Sequence, residues 1–131
     1  MRTIKFRGKR LDNKEWIIGY LVQYVNLGKK QMYIVTEIRG GITIGAPVDP
    51  KTVGQYTGLN DKNGNEVYEG DIVRYRTTDE RYTRNPSFRE MIIHYNENHA
   101  RFEAGSIYWE DLRSAVVEVI GNIYDTPNGG L

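Results

Sequence analysis

The sequence predicts a mainly β protein: a small SH3-like or partly open barrel with an N-terminal strand group and at most a short helix. Three observations lead there. Fourteen glycines and ten tyrosines in 131 residues, alongside many Ile and Val, favour extended pairing and tight turns. Apolar runs are short and separated by turn signals at close spacing, as in barrels and curled sheets rather than parallel α/β folds. No stretch keeps the three-and-four spacing of an amphipathic helix beyond a turn or two.

Residues 3–7 read as a short strand with Ile4 and Phe6 on one face, and 10–14 (RLDNK) as a turn. Residues 16–25 (WIIGYLVQYV) make a strong strand, with Gly19 marking a bulge or a close backbone approach. NLGKK at 26–30 turns the chain into 31–38 (QMYIVTEI), an edge strand available for pairing between subunits. Gly40-Gly41 precedes a short strand at 42–44, and Pro47 and Pro50 keep the next stretch extended. Within NDKNGNE at 60–66, Asn63-Gly64 reads as a two-residue hairpin turn, and EVYEGDIVRYR follows as a strand interrupted at Gly70-Asp71. Residues 77–89 are polar and proline-bearing, which predicts a long mobile loop. Strands at 91–95 and 101–104 pair around NENHA, and 106–114 hold one helical turn capped by Ser106. The last strand is 115–124 (AVVEVIGNIY). The chain divides into an N-terminal strand group (1–52), a barrel-like core (53–124) and a flexible tail (125–131), together one domain.

The absence of cysteine excludes a disulfide framework, a thiolate metal site and a cysteine nucleophile, and suits a reducing cytoplasm. The basic start MRTIKFRGKR is followed by no signal-length apolar run, and nothing approaches the ~20 apolar residues of a membrane span. A cytoplasmic protein without membrane partners is expected. Charge is balanced overall but unevenly placed. Residues 1–58 carry ten basic and four acidic side chains, net +6; residues 59–131 carry eight and thirteen, net −5. Such a division suits a basic surface for nucleic acid, subunits that attract head to tail, or simply a solvated surface.

The motifs that would carry chemistry are missing or incomplete. His94 and His99, with Glu97 and Glu103 nearest, lack the spacing of a metal site. Asp61, Asn63 and Asn65 imitate a calcium loop, but Gly64 falls at the fourth position rather than the sixth, so the segment reads as a turn. No phosphate-binding glycine loop and no nucleophile elbow occurs. The carboxylate pairs Glu69/Asp71 and Glu110/Asp111 read as solvated charges, since acid–base work needs two differing environments. No catalytic residue, metal or cofactor is assigned.

One constellation combines charge and rings. Lys5, Arg7, Lys9, Arg10 and Lys14 cluster with Phe6 and Trp16, and Arg74, Arg76, Arg81, Arg84 and Arg89 accompany Tyr75 and Tyr82. Phosphate attraction with aromatic stacking is how small barrels hold single strands. Against it, Phe6 alternates with the charges and faces the core, and Asp12, Glu15, Asp79, Glu80 and Glu90 dilute the field. Lys5, Arg7, Lys9, Arg10, Trp16, Arg81 and Arg84 stand as candidates for contacting nucleic acid or a protein partner.

Three blocks, IKFRGKRLDNKEWIIGYL at 4–21, VDPKTVGQYTGLNDKNGNEVYEGDIV at 48–73 and EVIGNIYDTP at 118–127, together resemble the YopX protein family. The likeness spans most of the chain, is specific in its middle block and is loose over 77–117. It implies a bacteriophage or prophage origin, a compact strand-rich fold and self-association, and it brings no catalytic residues to carry over. The middle block also has a purely structural reading. Gly58 and Gly64 suit positive-φ turn positions, and Tyr56, Leu59, Val67 and Tyr68 supply packing. Gly70 permits a bend, while Asp71 bonds nearby backbone N–H groups.

The expected function is that of a non-enzymatic phage or prophage accessory protein. It acts by forming a homo-oligomer or by binding a phage or host protein. The alternative is a nucleic-acid-binding small barrel using the basic N-terminal face and the Arg-rich loop. An enzyme whose carboxylates converge only in the fold is the third reading.

Overall fold

The computed structural model describes residues 3–76, 88–104, 107–108 and 117–125. Their regular structure is β1 (Phe6–Lys9), β2 (Trp16–Asn26), β3 (Lys29–Arg39), β4 (Ile42–Pro47), β5 (Gly54–Asn60), β6 (Glu66–Tyr68), β7 (Asp71–Arg76), β8 (Phe88–Asn96), β9 (Arg101–Ala104), β10 (Ile107–Tyr108) and β11 (Val117–Asn122). Among the described residues the sole helical element is a 3-10 turn at Pro50–Thr52, capped by the Asp49 carboxylate, which accepts the Lys51 N–H at 3.0 Å. The fold is therefore mainly β, as composition predicts. It consists of two antiparallel sheets, and neither closes into a barrel among the described residues. The chain falls into two compact units, divided between Gly58 and Leu59.

In the first unit the strands lie in the order β4-β3-β2-β1-β5. β2 and β3 pair from Tyr20↔Val35 to Asn26↔Lys29, so the loop is Leu27-Gly28 alone. Both residues have positive φ, 51° and 79°, the primed-turn geometry that follows strand twist. Gly40-Gly41 closes β3 onto β4 in the same way, the last pair being Arg39↔Ile42. This second hairpin corrects the expectation for residues 31–38. A two-residue turn returns the chain at once, so β3 is an interior strand and β4 forms the edge. One face of the sheet buries Ile34, Ala46 and Val48, with Gly8 beneath them. Gly19 makes the close approach that its place in a strand suggests: a Cβ there would lie 2.1 Å from the Val35 carbonyl oxygen.

In the second unit the order is β10-β9-β8-β7-β11. The core is Val67, Val73, Tyr75, Ile93, Ala104 and Val117, flanked by Leu59, Met91, Phe102 and Val119. Gly58, Gly64 and Gly70 all have positive φ, as their turn positions demand. Gly70 is doubly constrained, since at φ 87° a Cβ would also stand 2.8 Å from Tyr124 Cε2. Asp71, 1% exposed, accepts the Tyr68 N–H at 2.8 Å, which is the local backbone bond expected of it.

Two local expectations change. Asn63-Gly64 is not a two-residue turn. Asp61 and Asn65 close a three-residue loop, with the Asp61 N–H donating to the Asn65 carbonyl at 2.8 Å and only Gly64 left-handed within it. Asp61 selects this wider loop because its Oδ1 accepts the N–H groups of both Asn63 and Asn65. Near residue 106, Ile107–Tyr108 pair with β9 rather than starting a helical turn. The remainder of that segment, residues 77–87 with Arg81 and Arg84, and residues 126–131 lie outside the described residues.

Candidate functional site

The register of the first unit brings alternate residues of several strands onto one face. Arg7 pairs with Ile18 and Lys9 with Trp16. Tyr20 pairs with Val35 and Val22 with Tyr33, while Tyr24 meets Tyr33 edge-on at 6.1 Å. Strand pairing puts cross-strand partners on the same side, so these residues share the surface opposite Ile34 and Val48. A register shift between Val35 and Glu37 then re-aims the end of β3, so that Ile38, paired with Thr43, joins the same face.

At the β3–β4 end this surface is an apolar groove of about 480 Å³, lined by Tyr20, Val22, Tyr24, Tyr33, Val35, Ile38 and Thr43. Tyr20 is 67% and Ile38 72% exposed. Single exposed apolar side chains are ordinary on a protein surface. A contiguous row of them, floored by a buried Val35, is the kind of patch that marks a contact surface.

At the β1 end the face is cationic and aromatic. The Arg7 guanidinium lies 4.6 Å from the centroid of the Trp16 ring and the Lys9 ammonium 5.4 Å from it. Lys5 stands 5.0 Å from the Tyr56 ring centroid. Each contact is worth about 0.5–1 kcal/mol at a surface and, more usefully here, fixes where the cation stands. Arg7 and Lys9 sit two residues apart on β1, so their Cα atoms are about 7 Å apart. Of the sequence candidates, Lys5, Arg7, Lys9 and Trp16 thus come together. Arg10 does not join them: its Nε and Nη2 reach the two Asp12 oxygens at 2.9 and 2.7 Å, and that hydrogen-bonded pairing holds the Asp12 carboxyl below its usual value. Phe6 lies on the Gly8 side of β1, as the alternation predicts.

The buried carboxylates of the second unit are engaged in holding the fold. Asp61 Oδ1 takes the N–H groups of Asn63 and Asn65 at 2.9 and 2.8 Å. Its Oδ2 takes Val119 N–H at 2.9 Å and the Asn65 amide at 3.3 Å. Burial alone would raise this carboxyl; the donors of Val119, Asn65 and Asn63 outweigh it and leave it below its ordinary value. The neighbouring Lys62 N–H donates to Val117 C=O at 2.9 Å, so the turn lies along β11 next to its register shift between Val119 and Gly121. The calcium-like trio is therefore a backbone clamp.

Glu103 is a second such group. Asn96 donates to both its oxygens at 3.2 Å, and Arg101 Nε is 3.3 Å away. His94 Nε2 and His99 Nδ1 lie 3.3 and 3.7 Å from it. The Asn96 hydrogen bond is the main cause lowering this carboxyl, opposed by burial and assisted by Arg101 and His99. The fold thus does bring both histidines to one acid. No group of three His, Asp or Glu side chains has metal-binding geometry among the described residues.

Sequence reasoning passed over Tyr20, Val22, Tyr24, Tyr33 and Ile38 as surface residues. The available signal was the even-numbered series Trp16, Ile18, Tyr20, Val22, Tyr24, but Ile17 and Leu21 make the odd series apolar as well, so alternation alone did not say which side faces out.

Among the described residues no helix is long and apolar enough to cross a membrane. No curated protein matches the chain. Among solved structures it is similar to protein EF1440 from Enterococcus faecalis, with a TM-score of 0.53 and 23% identity over 97% of each chain, a likeness of fold. The sequence profile described as YopX protein matches residues 5–129, nearly the whole length. The chain belongs to the YopX family.

Proposed function

We propose that this is a non-enzymatic accessory protein of phage or prophage origin. It works in the cytoplasm by binding protein through the exposed face of the first unit, in the first instance a further copy of itself. The carrying observation is the contiguous row of Tyr20, Val22, Tyr24 and Ile38 around a groove floored by the buried Val35. Tyrosine adds large contact area at small entropy cost, and such rings at the centre of a patch dominate binding energy. A non-catalytic role is supported by the employment of the buried carboxylates: Asp61 and Asp71 hold backbone N–H groups, and Glu103 holds Asn96 and Arg101. The cysteine-free composition suits a reducing compartment.

The test is sedimentation velocity over a concentration series. Wild type is expected to associate, and Tyr20→Ser/Ile38→Ser to weaken association by about 30-fold, roughly 2 kcal/mol, with an unchanged circular dichroism spectrum. A double variant that assembles like wild type would remove this face from consideration.

A second reading, single-stranded nucleic acid on the same face, is favoured by the placing of Arg7 and Lys9 two residues apart on β1, with Lys5 just before it. It is weakened by the position of those cations over the Trp16 and Tyr56 rings, which competes with base stacking. Fluorescence anisotropy with a labelled oligothymidine would detect it as binding that falls steeply with salt.

A further inference from the structure

The β3–β4 hairpin outruns the core of its own sheet. Ile34 and Val35 are buried, as is Ala46 opposite, yet every residue from 36 to 44 is exposed. Both sides of this end carry apolar groups: Ile38 on the groove side, and on the other Ile42, 68% exposed, and Ile44, 40% exposed. β4 is also the sheet edge, with no strand beyond it among the described residues. Edge strands that stay single usually carry a charge, a proline or a bulge. Residues 40–46 (GGITIGA) carry neither charge nor proline. The bulge beside them lies in β3, so β4 keeps consecutive partners from Ile42 to Pro47. A two-stranded ribbon without a covered face is only marginally stable in water.

We propose that this edge pairs antiparallel with the same edge of a second copy of the chain, about a two-fold axis at Thr43. The main chain sets the register. The Ile44 carbonyl faces β3, where it accepts the Thr36 hydroxyl at 3.1 Å, so the adjacent Thr43 turns its N–H and C=O outward. The two Thr43 residues then exchange both backbone bonds, and Ile42 of each copy lies opposite Ile44 of the other. Threonine and β-branched apolar pairs of this kind stabilise a sheet, and no like charges meet. Sliding the strands two residues one way would set Pro47, which has no N–H to give, into the ladder; sliding them the other way shortens the overlap. The ribbon becomes four-stranded. The contact is isologous, so it closes at two chains. It lies at the edge of the sheet and does not rest on the groove face as a binding surface.

The chain has no cysteine, so single cysteines report the register directly. Full-length Ile42→Cys and Ile44→Cys are oxidised with copper phenanthroline, separately and as an equal mixture, and cross-linked chains are read on a non-reducing gel. Opposed residues that do not exchange backbone bonds stand about 4.5 Å apart at Cα, within disulfide reach. The mixture is expected to give about 5-fold more two-chain product than either variant alone, because only unlike cysteines face each other. Ile42→Lys/Ile44→Lys opposes like charges in the same register. Sedimentation velocity should show its association weakened about 10-fold or more, with an unchanged circular dichroism spectrum. These side chains point away from the groove, so their effect is separate from that of Tyr20→Ser/Ile38→Ser. Cross-linking in either cysteine variant alone that equals the mixture would overturn the edge contact and leave the groove-face reading untouched. So would a lysine variant that assembles like wild type. A wild type that is monomeric at every concentration would overturn both.

Discussion

Asp61→Ala is expected to destabilise the second unit by about 3–4 kcal/mol, the cost of leaving several semi-buried donors without an acceptor. The N–H groups of Asn63, Asn65 and Val119 all lose the oxygen they now share. The Val119 bond matters most, because it ties a turn to a strand 58 residues further along the chain. Asp61→Asn keeps one acceptor but turns an amide N–H₂ towards donors, so about 2 kcal/mol is expected. The charge gives a second readout. Asp61 is depressed below its unfolded value of about 3.9, so its contribution is fully present above that pH. It is lost as pH falls through the lower folded value. Glu103, also lowered, acts in the same direction. Urea unfolding at pH 7 and pH 3 should therefore show wild type losing more stability than Asp61→Asn does. Equal losses would mean the carboxylate charge is not what the clamp uses.

Gly19→Ala is expected to cost about 3 kcal/mol or more, a large penalty for one methyl group. The added Cβ would stand 2.1 Å from the Val35 oxygen and 2.9 Å from its carbonyl carbon. Backbone cannot swing aside as a side chain does, so β2 and β3 would have to part where their ladder begins, at Tyr20↔Val35. That same pair floors the groove, so loss of assembly should accompany loss of stability. Gly41→Ala is the comparison: φ is 79° but nothing lies within 4 Å, and about 1 kcal/mol is expected from backbone strain alone. Denaturant midpoints decide it. A Gly19→Ala protein no less stable than Gly41→Ala would show that the strands separate more easily than their geometry implies.

Much of the local structure was legible from sequence because its causes are local. The hairpin turn within 26–30, the positive φ at Gly58 and Gly64, the bend at Gly70 and the Asp71 bond to Tyr68 N–H each depend on residues within a few positions of one another. The Asn63-Gly64 turn was misjudged for a local reason too, since the pair outranks other turn signals until the Asp61 carboxylate is known to hold both flanking N–H groups. The metal question about His94 and His99 named Glu103 but had no means of knowing that Asn96 and Arg101 would occupy its oxygens.

By itself the sequence determined a cysteine-free, mainly β chain, its turn positions, the family blocks at its start, middle and end, and a charge imbalance between its halves. The tertiary structure decided the rest. It made β4 the edge in place of β3, turned the Tyr20–Tyr24 series outward beside Lys5, Arg7 and Lys9, and joined Asp61 to Val119. It also put the unit boundary at the point where the charge changes sign. The physical reason is common to all four. Period-two alternation names two faces of a strand but not the one that meets solvent, and strand neighbours are chosen by contacts between residues far apart in the chain.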